Sequence, residues 1–116
     1  MEIVVHSDSN TFLSADMSRH IQGVLEDRLA RFRTRLTRVE VGFTDENART
    51  VGVRDHRCTL EARAAGMEPR VVTADAVDLV ASFDAAVDRL ERALASRLGK
   101  DSDVKGSPSI RTMPAL

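Results

Sequence analysis

The sequence predicts an α+β fold with the element order β-α-β-β-β-α, in which a four-stranded mixed sheet carries two helices packed on one face. Two long segments repeat apolar residues at steps of three and four, as amphipathic helices do. Four shorter segments alternate apolar and polar residues or are β-branched, which is typical of strands. Because each helix has a single apolar side, we expect both helices to cover the same face of one sheet.

The first strand and the first helix are predicted within residues 2–36. Residues 2–7 are β-branched and lead into the polar run 7–10, which predicts a strand that ends in a turn. From Ala15 onward the spacing is helical, and Ser14 is a suitable N-cap. One long first helix is predicted by the apolar positions Met17, Ile21, Val24, Leu25, Leu29, Phe32 and Leu36.

Three more strands follow in the predicted order. Residues 38–44 and 55–63 alternate apolar and polar side chains, and residues 70–74 form the fourth strand after a turn at 66–69. We expect the third and fourth strands to form a hairpin. A right-handed crossover through the first helix would make strands one and two parallel, and the remaining pairs antiparallel.

The second helix is predicted from an N-cap at Asp75 to Gly99, which is a typical residue after a helix end. Its apolar positions are Val80, Phe83, Val87, Leu90, Leu94 and Leu98. Residues 1–99 are therefore expected to form one domain. Residues 100–116 contain glycine, prolines and no hydrophobic period, so we expect a disordered C-terminal tail there.

Basic charge is concentrated in one short segment, although the chain has a formal net charge of −1. No acidic residue lies between Arg28 and Arg38, and five arginines do: Arg28, Arg31, Arg33, Arg35 and Arg38. Such a cluster attracts polyanions such as nucleic acid. Arginines at a helix C-terminus also complement the helix dipole, and composition alone leaves both interpretations open.

The remaining composition disfavours several classes of function. The histidines His6, His20 and His56 and the single cysteine Cys58 show no catalytic or metal-ligand spacing, so we expect no enzyme, no metal, no cofactor and no small-molecule substrate. We expect Cys58 to be a buried, inert core residue. No apolar run reaches the roughly 20 residues that span a bilayer, and no signal peptide is evident. One cysteine and no membrane segment predict a cytoplasmic protein.

Three segments carry a resemblance to a known family. Residues 39–47 (VEVGFTDEN), 57–63 (RCTLEAR) and 78–94 (DLVASFDAAVDRLERAL) resemble the ribosome hibernation promoting factor family, also called the ribosome-associated inhibitor A or sigma-54 modulation protein family. The resemblance covers nearly all of residues 1–100 in the same element order. The chain is similar to the short form of this family, which lacks the C-terminal domain that pairs ribosomes.

The resemblance implies the fold predicted above and a function in translation. Family members bind the small ribosomal subunit between head and body, where mRNA and tRNA would lie, and silence translation under stress or in stationary phase. By resemblance, the partner is small-subunit rRNA, bound through phosphate contacts that occlude this channel sterically. The implied rRNA-binding residues are Arg28, Arg31 and Arg35 on the first helix and Arg89, Arg92 and Arg97 on the second.

The second helix departs from the family pattern, because it carries Asp84, Asp88 and Glu91 among its arginines. We expect Asp88 to pair with Arg92 four residues later. Arg33 and Arg38 are better explained as solvated charges. Asp84, Asp88 and Glu91 keep open an alternative function: a protein-interaction or regulatory module of the same fold with weak or no rRNA affinity. The sequence leaves the oligomeric state unassigned.

Overall fold

The computed structural model describes residues 1–8, 11–45 and 56–99 and has the predicted element order. The strands are β1 Glu2–Ser7, β2 Leu36–Asp45, β3 His56–Ala64 and β4 Met67–Ala76, and the helices are α1 Ala15–Arg28 and α2 Leu79–Leu94. A 3-10 turn, Ala30–Phe32, follows α1, and a π-helical turn, Ala95–Gly99, continues α2. The α+β class and the β-α-β-β-β-α order are thus confirmed.

The sheet has the strand order β1-β2-β3-β4. Strand β1 is parallel to β2, with Val5 opposite Val41, whereas β2–β3 and β3–β4 are antiparallel. The mixed sheet and the β3–β4 hairpin are therefore as predicted. The hairpin turns at Gly66, whose φ of 76° lies in the left-handed region that glycine adopts without steric cost.

The core lies between the two helices and one face of the sheet. An aromatic contact joins the layers, since the rings of Phe43 on β2 and Phe83 on α2 lie 6.2 Å apart between centroids. Cys58 is fully buried, as predicted, and burial raises the pKa of its thiol to about 12. Other fully buried residues include Ile21, Leu25, Leu29, Val39, Val41, Leu60, Ala62, Val87, Leu90 and Leu94.

The first helix ends at Arg28, so the prediction of one helix reaching Leu36 was wrong. Leu29 and Phe32 remain buried, but the backbone tightens there: the Phe32 N–H donates to the Leu29 carbonyl at 3.0 Å, and the Arg35 N–H donates to Phe32 at 2.9 Å. A spacing of three residues suits a 3-10 turn as well as an α-helix. The buried Leu36 then begins β2.

The second helix starts later than predicted. Asp78, not Asp75, is its N-cap, because the Asp78 side chain accepts a hydrogen bond from the Ala81 N–H at 2.8 Å. Asp75 belongs to β4 and pairs with Arg57. Strand β4 is also longer than predicted: the turn lies at residues 65–66, and Pro69 is part of the strand. The predicted tail, residues 100–116, lies outside the described residues.

The N-cap assignment predicts unequal effects at two nearby aspartates. We expect Asp78→Ala to lower the free energy of unfolding by about 1 kcal/mol, because the Ala81 N–H loses its acceptor. Asp75→Ala removes an exposed ion pair and is expected to cost at most about 0.5 kcal/mol. Urea denaturation of the two variants measures both values. A larger loss at Asp75 than at Asp78 would contradict the assignment.

Candidate nucleic-acid interface

The topology gathers arginines from five elements at one end of the molecule. Strand β2 begins at Leu36, which lies opposite Ala64 at the end of β3, and β4 begins directly after the following turn. The π-helical turn after α2 reaches the same end, because Arg97 lines a surface cleft with Met67, Glu68, Pro69 and Arg70. We call this surface the basic end and define it by Arg31, Arg33, Arg35, Arg63, Arg70 and Arg97.

The opposite end of the sheet is acidic. Both α-helices begin there, with Asp16 in the first turn of α1 and Asp78 capping α2. Asp45 ends β2 beside this edge, and Asp75 lies in the last part of β4. Asp16 and Asp75 pair there with Arg19 and Arg57, which neutralises part of this negative charge. A polyanion that approaches the molecule is therefore attracted more strongly to the basic end than to the opposite end.

Arg28 is not counted in the basic end, because two carboxylates of α2 hold its guanidinium. Its Nη2 donates to Asp88 Oδ1 and to Glu91 Oε1 at 2.6 Å each, and its Nε donates to Glu91 Oε1 at 3.0 Å. The hydrogen bonds that Arg28 donates to Asp88 and Glu91 raise the pKa of Arg28, and the bond to Asp88 lowers the pKa of that carboxyl. Asp88 thus pairs with Arg28, where we had expected Arg92.

The other two predicted residues of the first helix lie beyond that helix. Arg31 is exposed on the 3-10 turn, where its guanidinium carbon lies 4.7 Å from the centre of the Phe32 ring. This cation–π contact orients the side chain and leaves its hydrogen-bond donors at the surface. Arg35 is half-buried in the turn that leads into β2. Both residues belong to the basic end.

The three predicted arginines of α2 point in different directions. Arg89 donates a hydrogen bond to the Thr73 carbonyl of β4 and so lies on the side away from α1. Arg92 is exposed, one turn after Asp88. Arg97 lies in the cleft at the basic end. Arg31, Arg35 and Arg97 therefore lie at the basic end, whereas Arg28 is held by Asp88 and Glu91 and Arg89 reaches toward β4. Arg92 lies in the last turn of α2.

Three arginines of the basic end, Arg33, Arg63 and Arg70, were not among the predicted site residues, and Arg33 had been interpreted as a solvated charge. Arg63 lies near the end of β3 and is paired with Glu61, and Arg70 lies near the start of β4. Arg63 and Arg70 lie on strands, whereas the site residues implied by the resemblance lie on the two predicted helices. The signal was present in the predicted topology, since an antiparallel β3–β4 hairpin must turn at the end of the sheet where β2 begins.

The open face of the sheet carries paired charges around a shallow depression. His6, Glu40, Gly42, Thr59 and Glu61 line the depression, and the His6 ring covers Gly42 so closely that a Cβ there would lie 2.9 Å from His6 Cε1. Within residues 1–8, 11–45 and 56–99, no three His, Cys, Asp or Glu side chains are arranged as a metal site. None of the described helices is long and apolar enough to cross a membrane.

The ion pair between the helices predicts a pH-dependent contribution to stability. The pKa of Asp88 is lowered in the folded state, so the stabilisation is present above the unfolded carboxyl pKa of about 3.9 and is lost as the pH falls through the folded value. We expect Arg28→Gln to lower the midpoint of urea denaturation more at pH 7 than at about pH 2.

The matched control is Arg33→Gln, which removes an exposed arginine shortly after α1. We expect this variant to change the midpoint little at either pH. An Arg28→Gln effect of equal size at both pH values would contradict the contribution of the two carboxylates.

Comparisons with known proteins identify the family. The profile described as sigma 54 modulation protein / S30EA ribosomal protein matches residues 4–102. The crystal structure of the protein Y N-terminal domain from Thermus thermophilus is similar, with a TM-score of 0.67 and 23% identity over 84% of this chain and 99% of that one. A ribosomal subunit interface protein from Coxiella burnetii has a TM-score of 0.64 and 16% identity over 85% and 99%. No curated protein matches the sequence. Since the profile covers most of the chain, the protein belongs to the sigma 54 modulation protein / S30EA ribosomal protein family.

Proposed function

We propose that the protein is a non-enzymatic, cytoplasmic translation inhibitor that binds small-subunit rRNA through phosphate contacts and occludes the mRNA and tRNA channel under stress. Membership of an S30EA ribosomal protein family supports ribosome association, as does the fold shared with a protein named for the ribosomal subunit interface. The observation that carries the proposal is the gathering of arginines at one end of that fold. The contacts would come from the basic end, and chiefly from Arg31, Arg70 and Arg97.

The chemistry of the basic end suits phosphate more than bases. A guanidinium offers a planar pair of N–H donors that matches two phosphate oxygens. The sequence has no Trp or Tyr, so it lacks the commonest side chains on which single-stranded bases stack. Contacts to the RNA backbone carry no sequence information by themselves, and they fix how the protein is placed on the folded RNA. A folded domain held in this way blocks a channel by its volume alone.

A comparison of charge-neutralising variants tests the proposed contacts by removing two positive charges from each end of the molecule. We expect Arg70→Gln/Arg97→Gln to weaken binding to purified small subunits by about tenfold at near-physiological salt. The slope of log affinity against log salt should fall by about 1.5, because each lost phosphate contact contributes about 0.7 to 0.9. Co-sedimentation over a range of salt concentrations measures both quantities.

The control variant, Arg19→Gln/Arg57→Gln, removes two arginines that lie away from the basic end and pair with Asp16 and Asp75. We expect its affinity and salt slope to stay close to those of the original chain. Loss of binding in the control alone, or binding that does not depend on salt, would contradict contacts at the basic end. Displacement of tRNA from the subunit by the original chain tests the occlusion.

A second candidate function is a protein-interaction or regulatory module of the same fold. The neutralisation of Arg28 by Asp88 and Glu91 favours it, because this contact occupies an arginine that the family resemblance assigns to rRNA binding. Affinity capture from cells distinguishes the two functions. Recovery of a protein partner without rRNA would favour the module, whereas recovery of small-subunit rRNA would favour the translation inhibitor.

A further inference from the structure

Arg28 forms a clamp with two acidic residues of the other helix. It projects from the last turn of α1, and Asp88 and Glu91, three residues apart, lie on the same side of α2. Nη2 contacts both carboxylates and Nε contacts Glu91, as the distances above show. A guanidinium can bind a phosphate bidentately through the pair Nε and Nη2 or through the pair Nη1 and Nη2. Because Nη2 belongs to both pairs, neither can hold a phosphate bidentately while the clamp is closed.

The clamp lies at the surface. The side chains of Arg28, Asp88 and Glu91 are 35%, 50% and 31% exposed, so solutes can reach all three. One guanidinium between two carboxylates leaves a net charge of −1. Asp84, exposed one turn before Asp88, adds a further negative charge. A phosphate that approaches the closed clamp is therefore repelled, although an arginine lies at its centre.

We propose that Asp88 and Glu91 compete with RNA phosphate for Arg28, so that this arginine binds RNA only after the clamp opens. The proposal rests on the proposed function, because it concerns the regulation of that same rRNA contact. Opening exchanges one set of charge-assisted hydrogen bonds for another, and the carboxylates can turn into water because they are already half-exposed. Phosphates held at the basic end would raise the local concentration of phosphate beside the clamp and favour its opening.

The variant that tests the clamp is Asp88→Asn/Glu91→Gln. The amides keep the shape and the acceptor oxygens of the two side chains but lose the charge that holds Arg28. We expect binding to purified small subunits to tighten by about fivefold. The salt slope should steepen by about 0.7 to 0.9, the value for one more phosphate contact. Adding Arg28→Gln to this variant should abolish both changes.

The control for long-range charge is Asp84→Asn/Glu26→Gln, which removes two negative charges from exposed positions on the same two helices. We expect it to tighten binding less than the clamp variant does and to leave the salt slope unchanged. Circular dichroism and the urea midpoint of each variant show that the fold is retained.

The outcomes separate the clamp from the proposed function. If the control tightens binding as much as the clamp variant, or if the gain survives Arg28→Gln, long-range repulsion explains the result and the clamp is overturned. If the original chain binds and the clamp variant binds no tighter, the clamp is overturned and the proposed function stands. If only the clamp variant binds, and adding Arg28→Gln abolishes that binding, the clamp is supported. If no variant binds at any salt concentration, both proposals fail.

Discussion

The burial of one sheet face beneath both helices is the constraint on which the rest of the structure depends. Ile21 and Leu25 of α1 and Phe83 and Leu90 of α2 are buried against the same layer of strands. Strand β1 is parallel to β2, and β4 runs in the same direction as β2, so each helix returns across the sheet in the opposite direction. Both helices therefore end at the same end of the sheet. The basic end is a consequence of this topology.

Two physical explanations can account for arginines at the basic end: the helix dipole and a bound polyanion. Both explanations apply to arginines at the ends of the helices, but the helix dipole does not apply to arginines on strands. Cations near a helix C-terminus are stabilised by the helix dipole, which accounts for basic residues at the end of α1 and after α2 without any ligand. The dipole gives no reason for Arg63 on β3 or Arg70 on β4 to lie at the same end. The presence of these two strand arginines at the basic end therefore favours the proposed binding of a polyanion over the helix dipole as the explanation.

The architecture could be predicted from the sequence, whereas several boundaries and the key ion pair could not. Apolar periods of two and of three to four determined the element order, because burial dictates both patterns. The period of α1 extends through Phe32 to Leu36 since those residues are also buried, and periodicity does not distinguish an α-helix from the turn and strand that follow. Asp75 and Asp78 are equally good caps by type. The Arg28–Asp88 contact joins residues 60 apart, so it depends on how the helices pack.

The proposed clamp makes the stability of the helix pair and the binding of RNA depend on the same arginine, Arg28. Arg28 links α1 to α2 in the free chain, and the buried residues of the described part of the chain are apolar except for Thr11 and Ser82, so the clamp adds charge only at the surface of the helix layer. A bidentate phosphate contact of Arg28 would first have to break this link, because Nη2 takes part in both bidentate edges of the guanidinium. On the proposed clamp, the acidic residues of α2 make the RNA affinity of Arg28 depend on whether the two helices remain joined to each other.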